Sequence, residues 1–453
     1  MTLTTILTLI SLAAVALTGL TYFVLKHKDN LLVSFLQNWT GALFLFSGYV
    51  KAVDPLGTAY KMEQYFAEFE STFADTALGF VAPLFPAMAE YSVGFSVTMI
   101  VLEIVLGLAL IIGFRPKLTS WLFFLIVAFF TVLTGFTFLT GYVPSGVNFF
   151  AFSDWGAFAE TNMKVTDCGC FGDFLKLEPF TSFMKDVALM VPAVLFLFTH
   201  GKMHQLGSPT VRTAAVGVLT VASLLYGMSN YVWDIPGQDF RPFKVNTDVA
   251  SVKQAESDAE ASVQVTGYDV VNKASGETVT LTTNEFLAQF ANYPESEWEY
   301  VQIKTEPAIE RTKISDFEMQ DVNGDDPIPG LLADDGYHFL IVAYKLKGEA
   351  GAWKGSYVSD WTEDIKPVAD AAVTAGHKVA ILTKFNDAAA VADFQRATGT
   401  DYPVWFGDDI MLKTIIRSNP GVVLMKGGVI LNKWHHRRLP ALDEMPEVVA
   451  RKK

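Results

Sequence analysis

Cysteine is nearly absent from this chain of 453 residues, which has only Cys168 and Cys170. Any thiol or disulfide chemistry therefore happens in one short segment, residues 166–173, between two very hydrophobic stretches. The sequence also lacks a cysteine pattern for haem attachment and a phosphate-binding loop for nucleotides, which argues against both kinds of cofactor.

Positive charge is scarce as well, and the formal net charge is -14. Residues 1–233 carry 11 Lys and Arg against 14 Asp and Glu, and residues 234–453 carry 23 against 34. No long basic face is available for phosphates, so nucleic acid is not an expected partner. The low charge of the first part indicates a membrane domain, and the higher charge of the second part a soluble region.

Six apolar segments are each close to the ~20 residues that a membrane-spanning helix needs. They are residues 3–25, 32–50, 91–113, 118–141, 180–198 and 211–233. The first segment lacks a basic leader and a small-residue cleavage site, so we interpret it as a retained helix and not as a secretory signal.

Positive residues predict the orientation, because they concentrate in cytoplasmic loops. The three loops concerned contain Lys26 and Lys28, Arg115 and Lys117, and Lys202 and Arg212. The cysteine segment and everything after residue 233 then face the opposite side. In a Gram-negative bacterium this side is the periplasm, which permits disulfides. We therefore expect a multi-pass inner-membrane protein with a periplasmic N-terminus and a periplasmic C-terminal domain.

Glu103 stands midway along the third apolar segment. An ionisable residue at that depth is costly unless it is neutral, paired or facing a polar cavity, so it is a functional candidate. The alternative is a protonated carboxyl that is hydrogen-bonded to a hydroxyl such as Ser47 or Thr98. Lys51 and Lys185 are expected at outward helix ends, where snorkelling alone explains them.

Two further features lie near the predicted helices. Residues 56–74 repeat apolar side chains at helical spacing, which predicts an amphipathic helix on the outer membrane surface. A structural lid is the preferred interpretation of this helix, and substrate contact is the alternative. His200 and His204 have a spacing that suits a metal, but no further ligand accompanies them, so a solvated helix end is preferred.

Three interpretations of the cysteine pair remain open. A redox pair is favoured by the small ring, which is strained and more easily reduced than a structural bridge. An inert disulfide is common in exported proteins. A metal site would use Asp167 and Asp173, but the segment has no histidine and its spacing matches no common zinc pattern. Lys164 and Lys176 favour a thiolate in this segment, whereas Asp167 and Asp173 oppose it.

The soluble region begins with polar sequence over residues 234–330, which predicts a linker and a short β-rich segment. The acidic stretch at 256–260 is assigned to the linker. Strands are expected at 263–268 and 278–282, with a turn at Ser275 and Gly276.

After residue 331, strands and helices are expected to alternate. The predicted strands are 338–344, 378–382 and 402–405, the predicted helices are 361–375, 388–397, 410–417 and 442–450, and a hairpin covers 421–434 with its turn at Gly427 and Gly428. This order predicts a three-layer α/β domain. The basic segment 433–438 is interpreted as a solvated strand end.

Several of these segments together resemble one family. Residues 46–57, Glu103 with Gly107, residues 167–173 and Lys185-Asp186 are similar to the DoxX/MauE redox-associated membrane proteins, in the Bacteroidota branch that adds a periplasmic C-terminal domain. The resemblance implies that the second to fifth apolar segments form a four-helix core.

The resemblance also implies a function. Cys168 and Cys170 would pass electrons between thiols or small sulfur compounds and membrane quinone, or would assist disulfide formation in an exported partner. Glu103, Ser47 and Lys51 are the candidate quinone or proton contacts, and Asp167 and Asp173 would support the cysteine segment. No resident metal is expected.

The element order after residue 337 resembles the thioredoxin fold. Residues 418–425 resemble the segment in which such folds carry a cis-proline, here Pro420 after Asn419. The loop at 345–359 has no cysteine, so this domain cannot shuttle electrons by itself. We expect a partner-binding module with Asn419 and Pro420 as candidate contacts, and a periplasmic or membrane protein as partner besides the membrane lipids. The alternative for the whole chain is a non-catalytic, membrane-anchored scaffold or assembly subunit of a cell-envelope complex.

Overall fold

The chain folds into two compact units, Met1–Phe240 and Arg241–Lys453. The structure is a computed structural model, which describes residues 2–26, 30–165, 169–384 and 388–449. Within this part of the chain, six helices are long and apolar enough to cross a membrane, and they confirm the six predicted segments: Leu3–Val24, Leu31–Val53, Ser92–Ile112, Pro116–Thr140, Pro179–Lys202 and Pro209–Trp233.

The first unit is a helical bundle. Its helices are α1 Leu3–Gly19, which continues as a π-helical turn, α2 Leu31–Val53, α3 Pro55–Ala74, α4 Leu84–Glu90, α5 Ser92–Ile112, α6 Pro116–Thr140, α7 Pro179–Thr199 and α8 Pro209–Met228, which also continues as a π-helical turn. Proline occupies the first turn of α3, α6, α7 and α8, where its missing N–H breaks no helical hydrogen bond. Asp54 caps α3 by accepting from the Gly57 N–H at 3.1 Å.

Helices α2 and α5 approach each other closely because two glycines meet at their contact. A Cβ atom at Gly107 would lie 2.7 Å from the Leu45 nitrogen and 2.8 Å from the Gly41 oxygen. Small residues allow such contacts between membrane helices, where packing replaces the hydrophobic effect. The contact fixes how the polar side chains of α2 and α5 face each other.

Helix α3 and the segment between α6 and α7 lie at the same end of the bundle. Helix α2 runs toward that end, α5 starts there, α6 ends there and α7 starts there. The amphipathic helix that was predicted for residues 56–74 is therefore confirmed as a helix, and it lies at the same end as the cysteine segment.

The second unit contains two main sheets. Its elements are α9 Val249–Ala261, β1 Val265–Asn272, β2 Thr278–Thr282, α10 Thr283–Gln289, β3 Trp298–Lys304, α11 Ile328–Ala333, β4 Tyr337–Ala343, β5 Gly348–Glu349, β6 Ala352–Trp353, α12 Gly355–Ser359, α13 Lys366–Thr374, β7 Lys378–Lys384, α14 Ala388–Thr398, β8 Val404–Gly407, α15 Asp409–Ile415, β9 Gly421–Lys426, β10 Val429–His435 and α16 Pro446–Val449. The smaller sheet is antiparallel in the order β2-β1-β3, and β3 was not predicted.

The larger sheet has the order β10-β9-β4-β7-β8. Strands β4, β7 and β8 are parallel, and the β9–β10 hairpin is antiparallel to them. Strand β4 is buried along almost its whole length, which is typical of a strand covered on both faces. Residues of α13 and α14 pack into the core on one face around Trp361 and Phe394. The predicted alternation of strands and helices is confirmed, with bounds shifted by a few residues.

The linker that was predicted at the start of this unit is instead folded structure. Residues 256–260 lie in α9, and Glu256 is only 3% exposed. Its carboxylate accepts from Thr312 Oγ1 at 2.6 Å and from Ser315 Oγ at 2.5 Å. The Val249 N–H also donates to Gly428 O at 2.9 Å, which ties the start of α9 to the β9–β10 turn. An acidic composition indicated solvent exposure, but hydroxyl donors compensate for the buried charge.

Candidate functional site

A cavity of about 400 Å³ lies inside the helical bundle, and we refer to it as the bundle cavity. Most of its wall is apolar and aromatic, including Phe66, Phe69, Phe95, Met99, Phe129 and Phe130. Polar side chains also line it, among them Ser47, Lys51, Glu103, Thr134, Lys185 and Asp186, together with Cys170. An apolar cavity with a small number of polar groups is the usual form of a small-molecule site.

Cys170 reaches the cavity through a tight turn. Gly169 has a φ of +60°, a conformation that favours glycine, and a Cβ atom there would lie 3.3 Å from Lys61 Cγ on α3. Phe171 is 1% exposed and packs against Phe46 with ring centroids 5.9 Å apart. The buried aromatic ring anchors the turn, so the Cys170 side chain is held at the cavity wall.

The Cys170 thiol is free, but its predicted partner cannot be placed beside it. Cys168 and Asp167 lie outside the described residues, so the interpretation of the pair as redox centre, inert bridge or metal site stays a prediction. Asp173 is half-buried in the turn after Cys170 and is not part of the cavity wall.

The charges around Cys170 differ from those predicted. Lys164 forms an ion pair with Glu68 at 3.0 Å, and Lys176 is exposed. Burial is the main cause that raises the pKa of the Cys170 thiol. Lys185 and Lys51 oppose this increase, whereas Asp186 and Glu103 add to it. At neutral pH the thiol is therefore protonated unless a base removes its proton.

Glu103 is buried and paired. Its Oε1 accepts from Lys51 Nζ at 2.6 Å, and its Oε2 accepts from the Ser47 hydroxyl at 3.0 Å. The same hydroxyl lies 3.0 Å from the Cys170 carbonyl oxygen. Thr98, the other hydroxyl considered from sequence, donates to Gly94 O instead. The three candidates Glu103, Ser47 and Lys51 thus form one group beside the cysteine segment.

The prediction that Lys51 and Lys185 snorkel to the surface is wrong. Lys51 is 6% exposed because its ammonium is paired with Glu103 inside the bundle. Lys185 is also largely buried, and its ammonium pairs with the neighbouring Asp186 carboxylate. Asp186 Oδ2 accepts a second hydrogen bond from Thr134 Oγ1 on α6 at 3.0 Å. A buried charge needs a partner of opposite sign, and each lysine has one.

Helix α3 forms part of the cavity wall and is more than a surface lid. Thr58, Lys61, Met62, Tyr65 and Phe66 from α3 all line the cavity. The Tyr65 hydroxyl lies 2.7 Å from Thr137 Oγ1, which ties α3 to α6. The less favoured interpretation of this helix from its sequence, direct contact with a bound molecule, is therefore compatible with its position.

The cavity residues fit a quinone. Aromatic rings and methionines suit a flat, apolar ring system, and the lysine–carboxylate pairs supply polar contacts for ring oxygens at the same wall. The Thr58 hydroxyl lines the cavity and has no hydrogen-bond partner among the described residues, so it is available to a ligand oxygen.

The second unit has its own group of polar residues. The Asn419–Pro420 peptide bond is cis, as the resemblance implied. Asn419 Oδ1 accepts from the Tyr357 hydroxyl at 3.2 Å, and Asn419 Nδ2 donates to Lys345 O at 2.7 Å. These contacts fix the orientation of the Asn419 amide, which is half-buried.

The prediction that the segment 433–438 is a solvated strand end fits the exposed Arg437 and Arg438 but is wrong for its other basic residues. Lys433, His435 and His436 are buried. Lys433 Nζ donates to Phe243 O at 2.6 Å and to Ile415 O at 3.0 Å, and His436 Nδ1 lies 2.7 Å from Asp364 Oδ2. Buried basic side chains are tolerated here because backbone carbonyls and a carboxylate accept their hydrogen bonds.

The preference for a solvated helix end at His200 and His204 is also wrong for His204, which is 0% exposed. Its Nε2 lies 2.7 Å from Ile111 O, and its backbone N–H donates to Gln37 Oε1 at 3.1 Å. Gln37 in turn donates to Leu110 O at 2.8 Å. His204 therefore joins α2, α5 and the segment after α7 at the bundle end opposite Cys170.

Sequence reasoning did not identify Asp186 or Thr134 as site residues. A signal for Asp186 was present, because Lys185 and Asp186 interrupt an otherwise apolar helix with two adjacent charges of opposite sign. The sequence carries no comparable signal for Thr134, since threonine is common in membrane helices, where its hydroxyl usually bonds to a backbone carbonyl of the same helix.

Comparisons of this chain with protein-family models, with curated proteins and with solved structures find no match.

Proposed function

We propose that this protein is a membrane-embedded thiol oxidoreductase of the DoxX/MauE type. The observation that carries the proposal is the position of Cys170 in the wall of an apolar bundle cavity, beside two buried lysine–carboxylate pairs. In this proposal, the Cys168 and Cys170 thiols are oxidised to a disulfide in the periplasm of a bacterium, and the protein resides in the inner membrane.

The reaction releases two electrons and two protons. Two S–H bonds break and one S–S bond forms, and a membrane quinone supplies the chemistry of accepting both electrons and both protons. The apolar wall excludes water from the reacting sulfur. Ser47 holds the carbonyl of Cys170, and Lys51 holds Glu103 in place.

The second unit is proposed to be thioredoxin-like. The strand order β10-β9-β4-β7-β8 and the cis Asn419–Pro420 bond support this assignment. Because the unit has no cysteine, its proposed role is to dock a thiol-containing protein, with Asn419 and Pro420 as contacts. The thiol donor can also be a small sulfur compound, and an exported partner can be the protein whose disulfide formation is assisted.

Replacing both cysteines tests the proposal. The Cys168→Ser/Cys170→Ser variant is expected to lose all reduction of a soluble short-chain quinone by dithiothreitol, because no other thiol exists in the chain. The purified protein in detergent is assayed by the absorbance of the quinone. Lys176→Ser, an exposed change at the same end of the bundle, is the matched control and is expected to retain activity.

Activity that survives the double substitution contradicts the proposal. Normal assembly with no quinone reduction by the unmodified protein supports the alternative, a membrane-anchored scaffold of a cell-envelope complex.

A further inference from the structure

We infer that Asp186 accepts the proton of the Cys170 thiol, and that Lys185 stabilises the resulting thiolate. This inference rests on the proposed function and adds a residue pair that the motif analysis gave no role. It divides the polar wall of the bundle cavity into two groups with different tasks.

The first group positions the cysteine segment. Ser47 contacts the Cys170 backbone carbonyl, and Glu103 is held on both oxygens, by Lys51 at 2.6 Å and by Ser47 at 3.0 Å. This group contacts the main chain of Cys170.

The second group lies on α7 and lines the same cavity as Cys170. Asp186 is buried, with Oδ1 on Lys185 and Oδ2 on Thr134, and all three residues line the cavity together with Cys170. Among the charged neighbours of the Cys170 thiol, Lys185 has the largest influence, followed by Asp186, Lys51 and Glu103. The pair on α7 is therefore the dominant electrostatic influence on the sulfur.

Among the described residues, the remaining elements around Cys170 bring few charges to the cavity wall. Helix α3 contributes Lys61, whose stem packs on Gly169, and α6 contributes the neutral Thr134. Helices α2 and α5 contribute Lys51 and Glu103 of the first group. Asp186 is thus the carboxylate whose removal is expected to change the ionisation of the thiol most.

A proton acceptor is needed because a buried thiol holds its proton, whereas the thiolate is the reactive form. The S–H proton passes to the Asp186 carboxylate as the sulfur ionises beside Lys185. As the S–S bond forms, the Cys168 S–H bond also breaks. The two electrons and two protons, one of them held by Asp186, would pass to the quinone that the proposed function names.

The test uses the Cys168→Ser background, in which Cys170 is the only thiol of the full-length protein. The alkylation rate with iodoacetamide is measured against pH in detergent. Asp186→Asn is expected to shift the profile toward acid by about one pH unit, because Lys185 then acts unopposed. Lys185→Gln is expected to shift it toward alkali by a similar amount. Glu103→Gln is expected to shift it less than Asp186→Asn.

Opposite shifts separate this role from a structural defect. A loosened bundle exposes the thiol and accelerates alkylation in both variants, and that result overturns the inference. Size-exclusion chromatography identifies variants that do not fold. The Asp186→Glu variant keeps a carboxylate and is expected to retain a profile close to that of the background.

Turnover is measured with both cysteines present. Asp186→Asn is expected to reduce quinone about 100-fold more slowly, the usual contribution of a general base, although its thiol ionises more easily. Glu70→Gln removes an exposed carboxylate of α3 and serves as the control. An active unmodified protein with an equally active Asp186→Asn variant overturns this inference alone. An inactive unmodified protein overturns the proposed function.

Discussion

At the scale of single residues, the second unit contains a buried histidine that responds to pH. His338 lies in β4, is 4% exposed, and has its Nε2 3.3 Å from Asp334 Oδ2. Burial lowers the pKa of His338 despite the neighbouring carboxylate. Asp334 behaves differently, because its ion pair with Lys378 and a hydrogen bond from the Gly336 N–H lower its pKa to about 2.

These shifts predict a loss of stability in mildly acidic solution. The unfolded chain protonates His338 near pH 6.5, whereas the folded chain resists protonation, so stability decreases as pH falls below that value. The unfolded chain protonates Asp334 only below about pH 4, whereas the folded chain keeps it ionised to about pH 2, so its contribution is lost only below about pH 4. Between pH 7.5 and 5, the unmodified protein is expected to lose roughly 2 °C more in Tm than His338→Gln.

The measurement is thermal unfolding of the second unit, followed by circular dichroism in the full-length protein. Parallel pH profiles of the two proteins would show that His338 does not contribute.

Single residues show why the site was only partly predictable. Glu103 was identified because a charge in an apolar segment is conspicuous. Its hydroxyl partner Ser47 was also predicted. The ion pair with Lys51 was missed, since Lys51 lies 52 positions earlier and near a helix end, where snorkelling is an adequate explanation. Pairing at that separation depends on how α2 and α5 pack, which the spacing within either segment does not specify.

At the scale of elements, the α2–α5 contact governs the geometry of the cavity. Gly107 and Gly41 allow the helices to meet backbone to backbone, whereas Gly94 on the same helix α5 faces open space. An added methyl group would therefore clash with α2 at Gly107 but meet no atom at Gly94, although both glycines are on α5.

This difference predicts opposite effects of one substitution. Gly107→Ala places a Cβ atom 2.7 Å from a backbone nitrogen, which cannot move aside without separating the helices. It is expected to destabilise the protein by about 1–3 kcal/mol. Gly94→Ala is expected to be neutral or slightly stabilising, because alanine favours helix over glycine. Both are compared by the loss of monodisperse protein on heating in detergent.

Equal stability of the two alanine variants would mean that the close approach at Gly107 does not limit packing.

Elements were predicted more reliably than contacts. Long apolar segments and alternating runs specify local structure, so the six membrane helices and most strands of the larger sheet were identified. Strand β3 was missed because its burial alternates weakly and its residues include a glutamate, a glutamine and a lysine. Helix α9 was assigned to a linker because the hydroxyls that compensate Glu256 lie more than 50 residues later.

At the scale of the whole molecule, the second unit has a complete core of its own. Its sheet, the helices α13 and α14, and the buried cluster around Trp361 all lie after residue 240. Residues 241–263 belong to this unit, since Lys433 bonds to Phe243 O and the start of α9 bonds to the β9–β10 turn.

We therefore predict that a fragment of residues 241–453 folds as a soluble protein. A fragment of residues 264–453 is expected to be less stable or to aggregate, because it leaves the Lys433 ammonium without one acceptor and removes α9. Circular dichroism and urea unfolding distinguish the two. Equal stability of the two fragments would instead support the prediction from composition that residues 241–263 are a linker.

One serine in the bundle contacts two acceptors with a single hydrogen. Ser47 Oγ lies 3.0 Å from a carboxylate oxygen of Glu103 and 3.0 Å from the carbonyl of Cys170. That hydrogen serves one oxygen at a time. The Glu103 carboxylate on α5 and the main chain of Cys170 therefore compete for the same donor, so a shift of either one changes the hydrogen bond that is left for the other.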